Sequence, residues 1–279
     1  MSLETIVPVV LCGGAGWRLR PLSRPDCPKP FLRIGSRYSM LQETLMRVRD
    51  CAPPVLVLNA LLRHRAEDDL KSIATTPRSL ILEPWGRNTA PALASAAAML
   101  DNDLMLVLPS DHWIKNPEAL LSAVKKAVPL ARDGWIISFG IRPRRANTGF
   151  GYIRRGPVMQ DGIHRIDRFV EKPPRNVARI MVRSGTCDWN SGIFLLSAAI
   201  ARQELARFEP EMMKAAASAL THGLRDGNCV TLGAGFETCA PLSIDTALME
   251  RSDKTLVVPV DLDWSDLGTW PAIVQKVFA

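Results

Sequence analysis

Three segments carry residue types suited to handling phosphate and a divalent cation. The first is Leu11-Cys12-Gly13-Gly14-Ala15-Gly16-Trp17-Arg18-Leu19. Gly13, Gly14 and Gly16 let the backbone approach a ligand closely and aim N–H groups at phosphate oxygens. Arg18 and Lys29 add positive charge on the same connection. The loop is not a dinucleotide fingerprint, because the third glycine of G-x-G-x-x-G is missing, and it is not a P-loop, because no G-K-[ST] closes it. The second segment is Pro109-Ser110-Asp111-His112, just past an apolar run. In an open parallel sheet, ligands sit beyond the carboxyl ends of the strands, so Asp111 stands where a magnesium ligand is needed. Its plainer reading is a turn or cap aspartate. The third, Asp263-Trp264-Ser265-Asp266-Leu267-Gly268, supplies another carboxylate. Two aspartates can share one Mg²⁺, with nucleotide phosphates completing its oxygen shell. Val170-Glu171-Lys172-Pro173 and Trp189-Asn190-Ser191-Gly192 place further polar groups at the ends of apolar strands.

Elements that alternate strand and helix must position these groups. Apolar runs predict strands at Ile6–Leu11, Pro54–Leu58, Ser79–Leu82, Leu104–Leu108 and Trp135–Phe139. Between them lie a helix opened by a Ser39/Gln42 capping box, a polar helix Arg63–Ala74, an alanine-rich helix Thr89–Leu100 and a helix capped by Asn116 and opened by Pro117. This spacing implies a largely parallel sheet covered on both faces. The second half is less regular. Ile163–Val170 reads as an antiparallel edge strand, Arg175–Arg183 as a helix stopped by Gly185, and Gly192–Leu196 as a strand. Ala198–Leu220 reads as one or two helices, Ser243–Glu250 as another, and Thr255–Val260 as a strand. We expect a single domain over 1–279 with an inserted subdomain within 141–197.

The chain has 279 residues, 47% of them hydrophobic, enough for a sizeable core without staples. No apolar run reaches the roughly 18 residues of a membrane span, and no basic leader precedes the first strand. The expected location is therefore the cytoplasm, with no membrane partner. The net charge of +7 favours anionic ligands. Nucleic acid is not expected, because no aromatics interleave the arginine clusters Arg142, Arg144, Arg145 and Arg154, Arg155. None of the six cysteines forms a C-x-x-C pair, so free thiols are expected rather than a zinc site.

Six motifs in order, G-G-A-G-W-R-L-R-P-L-S-R…P-K-P-F, E-P-W-G-R-N-T-A-P-A, L-P-S-D-H, V-E-K-P, W-N-S-G-I-F and W-S-D-L-G-T-W, span residues 6–270. Together they resemble the bacterial mannose-1-phosphate guanylyltransferases, sugar nucleotidyltransferases that make GDP-mannose. The resemblance implies a Rossmann-like α/β nucleotidyltransferase fold with a mixed sheet, GTP and mannose 1-phosphate as substrates, and Mg²⁺. It implies that Gly13, Gly14 and Gly16 cradle the triphosphate, Arg18 meets the departing pyrophosphate, and Lys29 neutralises charge near the reacting phosphorus. Arg87 and Asn88 would lie by the base, and Asp111 and Asp266 would hold Mg²⁺. Gly151, Glu171 and Asn190 would bind the sugar and Lys172 its phosphate. Trp17 stands where the family usually has Thr or Ser, and Arg20 where it has Trp. The indole of Trp17 is expected to turn away from the nucleotide. The C-terminal β-helical region and isomerase domain of many family members are not expected here, and a homo-oligomer stays open. Two other readings remain: the same chemistry on another sugar or base, and a nucleotide-sugar-binding regulatory protein.

Overall fold

The computed structural model describes residues 2–14 and 16–278, with Trp17 described in its backbone only. The elements, in chain order, begin with β1 (Ile6–Cys12), α1 (Met40–Arg47), β2 (Val55–Asn59), α2 (Arg63–Ser72), β3 (Ser79–Glu83), α3 (Thr89–Met99) and β4 (Leu104–Pro109). Next come the short β5 (Trp113–Ile114), α4 (Pro117–Arg132), β6 (Ile136–Ile141), β7 (Tyr152–Gln160), β8 (Ile163–Val170), α5 (Arg175–Arg183) and β9 (Cys187–Ser197). The chain closes with α6 (Ala198–Phe208), α7 (Pro210–Thr221), β10 (Leu224–Asp226), β11 (Cys229–Thr231), β12 (Thr255–Val260), β13 (Trp264–Ser265) and α8 (Trp270–Val277).

Eleven strands form one sheet in the order β10-β11-β3-β2-β1-β4-β9-β6-β12-β8-β7. Its centre is parallel: β1 pairs with β2 and β4, β2 with β3, and β12 with β6. β9 runs antiparallel between β4 and β6, which makes the sheet mixed. Every residue of β1 is buried, as expected of a strand covered on both faces. Alternation divides its side chains. Val7, Val9 and Leu11 join the core under α3, α6 and α7, while Val10 and Cys12 join the core under α1 and α2. α3 presents alanines at Ala90, Ala92, Ala94, Ala96 and Ala97, all buried, so the helix sits close against the sheet. The Ser39/Gln42 capping box at the start of α1 is formed in full.

Several expectations need correction. The strand expected at Gly192–Leu196 is the longer β9, because its first half carries Asp188, Asn190 and Ser191, which break the apolar run. The expected helix at Ser243–Glu250 is a single π-turn, Asp245–Met249. β7 was not expected, because only its first two residues, Tyr152 and Ile153, are buried. The small β10–β11 hairpin was hidden the same way, by its exposed first strand. The segment 141–197 supplies β7, β8 and β9, all hydrogen-bonded into the main sheet. All six cysteines are free, and no helix among the described residues is long and apolar enough to cross a membrane.

Gly140 marks a tight point in the middle of the sheet, between β9 and β12. A Cβ there would stand 2.7 Å from the Cβ of Asp188 and 2.8 Å from Cγ2 of Val257. Gly140→Ala is expected to cost about 1–3 kcal/mol through overpacking, read as a lower midpoint in urea denaturation. An unchanged midpoint would show that β9 and β12 can separate freely.

Candidate active site at the carboxyl ends of the parallel strands

The loops that leave β1, β3, β4, β6 and β12 meet at one edge of the sheet. β9, being antiparallel, brings its starting residues to the same edge. A two-stranded ribbon then joins two segments far apart in sequence. β5 pairs with β13, placing Ser265 opposite Trp113 and Trp264 opposite Ile114. Asp111 and Asp266 flank this ribbon, and Lys29 lies between them. Its Nζ is 2.8 Å from Oδ2 of Asp111 and donates to the backbone carbonyl of Asp266. Only 6% of Lys29 is exposed. Burial works against the Asp111 carboxylate, but the Lys29 charge, His112 and the Lys29 hydrogen bond outweigh it and hold the carboxyl below its ordinary value. His112 is driven down to about 4, chiefly by burial, and is neutral near pH 7. Its Nδ1 accepts from the indole of Trp264 at 3.2 Å.

A cavity of about 610 Å³ opens beside this centre, lined by Gly13, Gly14, Glu83, Gly86, Asn88, Asp111, His112, Gly192 and Asp245 among others. The glycine loop is open on this side. Gly14 has φ +94°, and nothing lies within 4 Å of a Cβ built on Gly13 or Gly14, so their backbone faces open space. Gly16 serves packing instead. With φ +63°, it sits where a Cβ would approach that of Lys29 to 3.0 Å and that of Ser23 to 3.2 Å. Asn88 lines the cavity at φ +69°, its Oδ1 accepting from the N–H of Thr89 at 2.8 Å. Arg87 is not part of that lining. Its Nε is buried with no partner among the described residues. Arg18 turns to a second cavity of about 410 Å³, which it lines together with Asp266. The orientation expected for the Trp17 ring lies outside the described residues.

The four sugar-site candidates come together. The N–H of Asn190 donates to the carbonyl of Gly151 at 2.9 Å. A Cβ on Gly151 would stand 2.7 Å from Oε2 of Glu171. Lys172 pairs with Oε1 of Glu171 at 2.5 Å and holds a left-handed φ of +42°.

Two carboxylates of the site escaped the sequence reading. Asp245 accepts from Nδ2 of Asn190 at 2.8 Å. Burial, then the charge of Glu171, pushes its carboxyl up to about 7. It belongs to a segment whose only sequence signal was helical. Glu83 ends β3 and faces the glycine loop. It is buried, its Oε1 has no partner among the described residues, and burial raises it to about 8. Glu83 opens the E-P-W-G-R-N-T motif, so its position was visible although its role was not. No group of three or more His, Cys, Asp or Glu that could hold a metal occurs among the described residues. Asp111 and Asp266 are joined through Lys29, which meets the carboxylate of the first and the backbone carbonyl of the second, while Oδ1 of Asp266 accepts from the N–H of Gly268 at 3.2 Å.

A family model described as nucleotidyl transferase matches residues 7–277. The mannose-1-phosphate guanylyltransferase 2 of Escherichia coli O157:H7 is 38% identical over 98% of this chain and 60% of its own length. The xanthan biosynthesis protein XanB of Xanthomonas campestris pv. campestris is 39% identical over 98% of this chain and 60% of its own length. The chain thus spans about 60% of the length of these curated relatives. A crystal structure from Thermus thermophilus, described as a mannose-1-phosphate geranyltransferase, superposes with a TM-score of 0.85 at 32% identity, covering 99% of this chain and 79% of that one.

Glu83 makes ligand-free stability depend on pH. Its carboxyl rises from an ordinary 4.5 to about 8 on folding, so between these values the folded state holds a proton that the unfolded state releases. Stability from this group is therefore full below pH 4.5 and lost as pH rises towards 8. Glu83→Gln keeps the shape and removes the titration. It should unfold at the same temperature as the parent near pH 4.5 and at a higher one at pH 8, by an amount on the order of 1–3 kcal/mol. Parallel melting curves at both pH values would show that Glu83 is solvated in the folded chain.

Proposed function

The chain belongs to the nucleotidyl transferase family, and on that premise we propose that it transfers GMP from GTP to mannose 1-phosphate, releasing pyrophosphate. The observation that carries this reading is the buried Lys29 ammonium, shared between the backbone of Asp266 and Asp111, which itself lines the glycine-edged cavity. A phosphate monoester is already a competent nucleophile, so no side chain has to attack. An oxygen of the sugar phosphate forms a bond to the α-phosphorus in line, the bond to the β-phosphate oxygen breaks, and pyrophosphate leaves. What the protein supplies is positioning and charge neutralisation.

The roles follow from position. Gly13 and Gly14 offer backbone N–H groups to the triphosphate, and Lys29 neutralises charge as it develops. Asp111 and Asp266 would hold Mg²⁺, which supplies further neutralisation of the triphosphate when bound. Glu83 lines the same cavity as Gly86 and Asn88. Protonated near neutral pH in the free chain, Glu83 would ionise as a donor arrives, and the carboxylate could then accept from both N1–H and the 2-amino group of guanine, a pairing that adenine, with no N1–H, cannot offer. Segment 141–197 forms the sugar-binding part. In it Glu171 and Asn190, joined by Asp245, offer acceptors for sugar hydroxyls, and Lys172 meets the sugar phosphate.

Pyrophosphate release measured with ATP, GTP, CTP and UTP against several sugar 1-phosphates tests the reading. GTP with mannose 1-phosphate is expected to be fastest. Glu83→Gln should lower kcat/KM for GTP by about 10- to 100-fold, the worth of a hydrogen bond to a charged group, with a smaller loss for ATP. Equal losses would remove Glu83 from base recognition. Asp266→Ala should lower turnover by at least about a hundredfold in a folded protein, as expected when several kcal/mol of charge stabilisation is lost. Normal turnover in that variant would remove Asp266 from the metal site.

A further inference from the structure

The net charge of the chain is concentrated in one segment. Residues 141–190 contain eleven Arg and Lys against four Asp and Glu, a surplus of seven that equals the +7 of the whole chain. The rest of the sequence is electrically balanced. Arg142, Arg144 and Arg145 of that segment follow β6 directly and line the 410 Å³ cavity, which Arg18 also lines. Arg144 is committed, reaching Asp261 at 3.8 Å and Asp263 at 3.5 Å. Arg18, Arg142 and Arg145 form no ion pair within 4.0 Å among the described residues. Part of the lining is aromatic. Phe150 meets Trp189 and Trp264 edge to face, each at 5.1 Å between ring centroids. The Trp189 indole N–H is buried with no acceptor among the described residues.

This cavity lies on the other face of the sheet from the large one. Trp189 and Asn190 are neighbours on β9, so their side chains point to opposite faces. Asn190 binds Asp245, which lines the large cavity, whereas Trp189 lines the cavity of the arginines. The two spaces meet at the Lys29 junction. Asp111 lines one, Asp266 lines the other, and Lys29 touches both segments. A displacement in line at phosphorus needs an approach on one side and a departure on the other.

We propose that Arg142 and Arg145, with Arg18, form an anion site in the smaller cavity that receives the departing inorganic pyrophosphate. The proposal rests on the transfer reaction given above for its ligand, but not for the existence of the anion site. Pyrophosphate carries several negative charges on a compact body, so it suits a cluster of guanidinium groups that can bind it with paired N–H donors. The aromatic part of the lining excludes water and strengthens each contact. The cavity would also hold pyrophosphate ready as a substrate when the reaction runs backwards.

The test is calorimetric titration of sodium pyrophosphate into the wild-type chain and into Arg142→Gln/Arg145→Gln, with magnesium present, and the same titration with GDP as reference. Both arginines are exposed, so the variant should fold, and its thermal midpoint checks this. The Kd for pyrophosphate should rise at least about tenfold while that for GDP changes less than about twofold. An unchanged pyrophosphate Kd overturns the proposal. Equal weakening of GDP also overturns it, because the arginines would then serve the nucleotide. A third titration with mannose 1-phosphate guards against a different occupant: if that ligand alone weakens, the cavity is a sugar-phosphate port and the proposal fails. Wild-type protein that binds pyrophosphate through these arginines, yet releases none from any nucleoside triphosphate, would refute the transfer reaction and leave the anion site standing.

Discussion

A single buried ammonium organises this molecule. Lys29 is nearly inaccessible to water, and its head contacts the Asp111 carboxylate and the Asp266 carbonyl. An isolated charge in that position would be expelled or neutralised. It survives because its partners arrive from segments more than a hundred and fifty residues apart along the sequence, held together by the β5–β13 ribbon. Gly16 packs against the Cβ of Lys29, so the glycine loop is tied to the same point. A buried pair of this kind is weak evidence for stability, since desolvation offsets most of the attraction. What it provides is a fixed relation between three loops. The glycine loop, the Asp111 turn and the Asp266 turn cannot move independently while Lys29 joins them.

The same edge concentrates features that a stable scaffold would avoid. Asn88, Lys172, Asp263 and Leu267 all hold positive φ without being glycine, and such backbone persists only where the surroundings enforce it. Glu83 and Asp245 are carboxyls pushed towards neutrality by burial. Each is unfavourable in the free chain and becomes favourable when a donor arrives. The sheet behind them carries that cost. β1 to β4 and the alanine face of α3 bury a continuous apolar core. Strain and orphaned polar atoms at the rim are thus compatible with a well-packed interior.

How much of this was legible in the sequence depends on which face a residue shows. The parallel core was readable because strands buried on both sides spell continuous apolar runs, as Ile6–Leu11 and Leu104–Leu108 do. β7 was not, because after Tyr152 and Ile153 its residues are exposed or only half-buried and carry no apolar alternation. β9 was only half readable, since the polar residues Asn190 and Ser191 interrupt the apolar signal of the strand that carries them. Glycine and aspartate motifs marked the loops at the sheet's edge. They were silent about Asp245, which stands outside every motif, and about Glu83, whose significance lies in being buried without a partner. Burial is a property of the fold, so neither role could be read before the fold was known.

The antiparallel course of β9 has a consequence beyond hydrogen bonding. Had the strand between β4 and β6 been parallel, its carboxyl end would have met the site, and Leu195 and Leu196 would stand there instead of Trp189 and Asn190. Reversal delivers the polar start of the strand to the edge where Asp111, Lys29 and Asp266 meet. Alternation then sends one neighbour to each face, Asn190 towards the large cavity and Trp189 towards the arginines. Two cavities on opposite faces, whose linings meet at one buried cation, follow from one strand's direction and from the period of two. For an in-line transfer that geometry is economical. Under the proposed reaction, the lysine that joins Asp111 of one cavity to Asp266 of the other would stand between the bound triphosphate and its departing fragment, so charge would remain neutralised along the path.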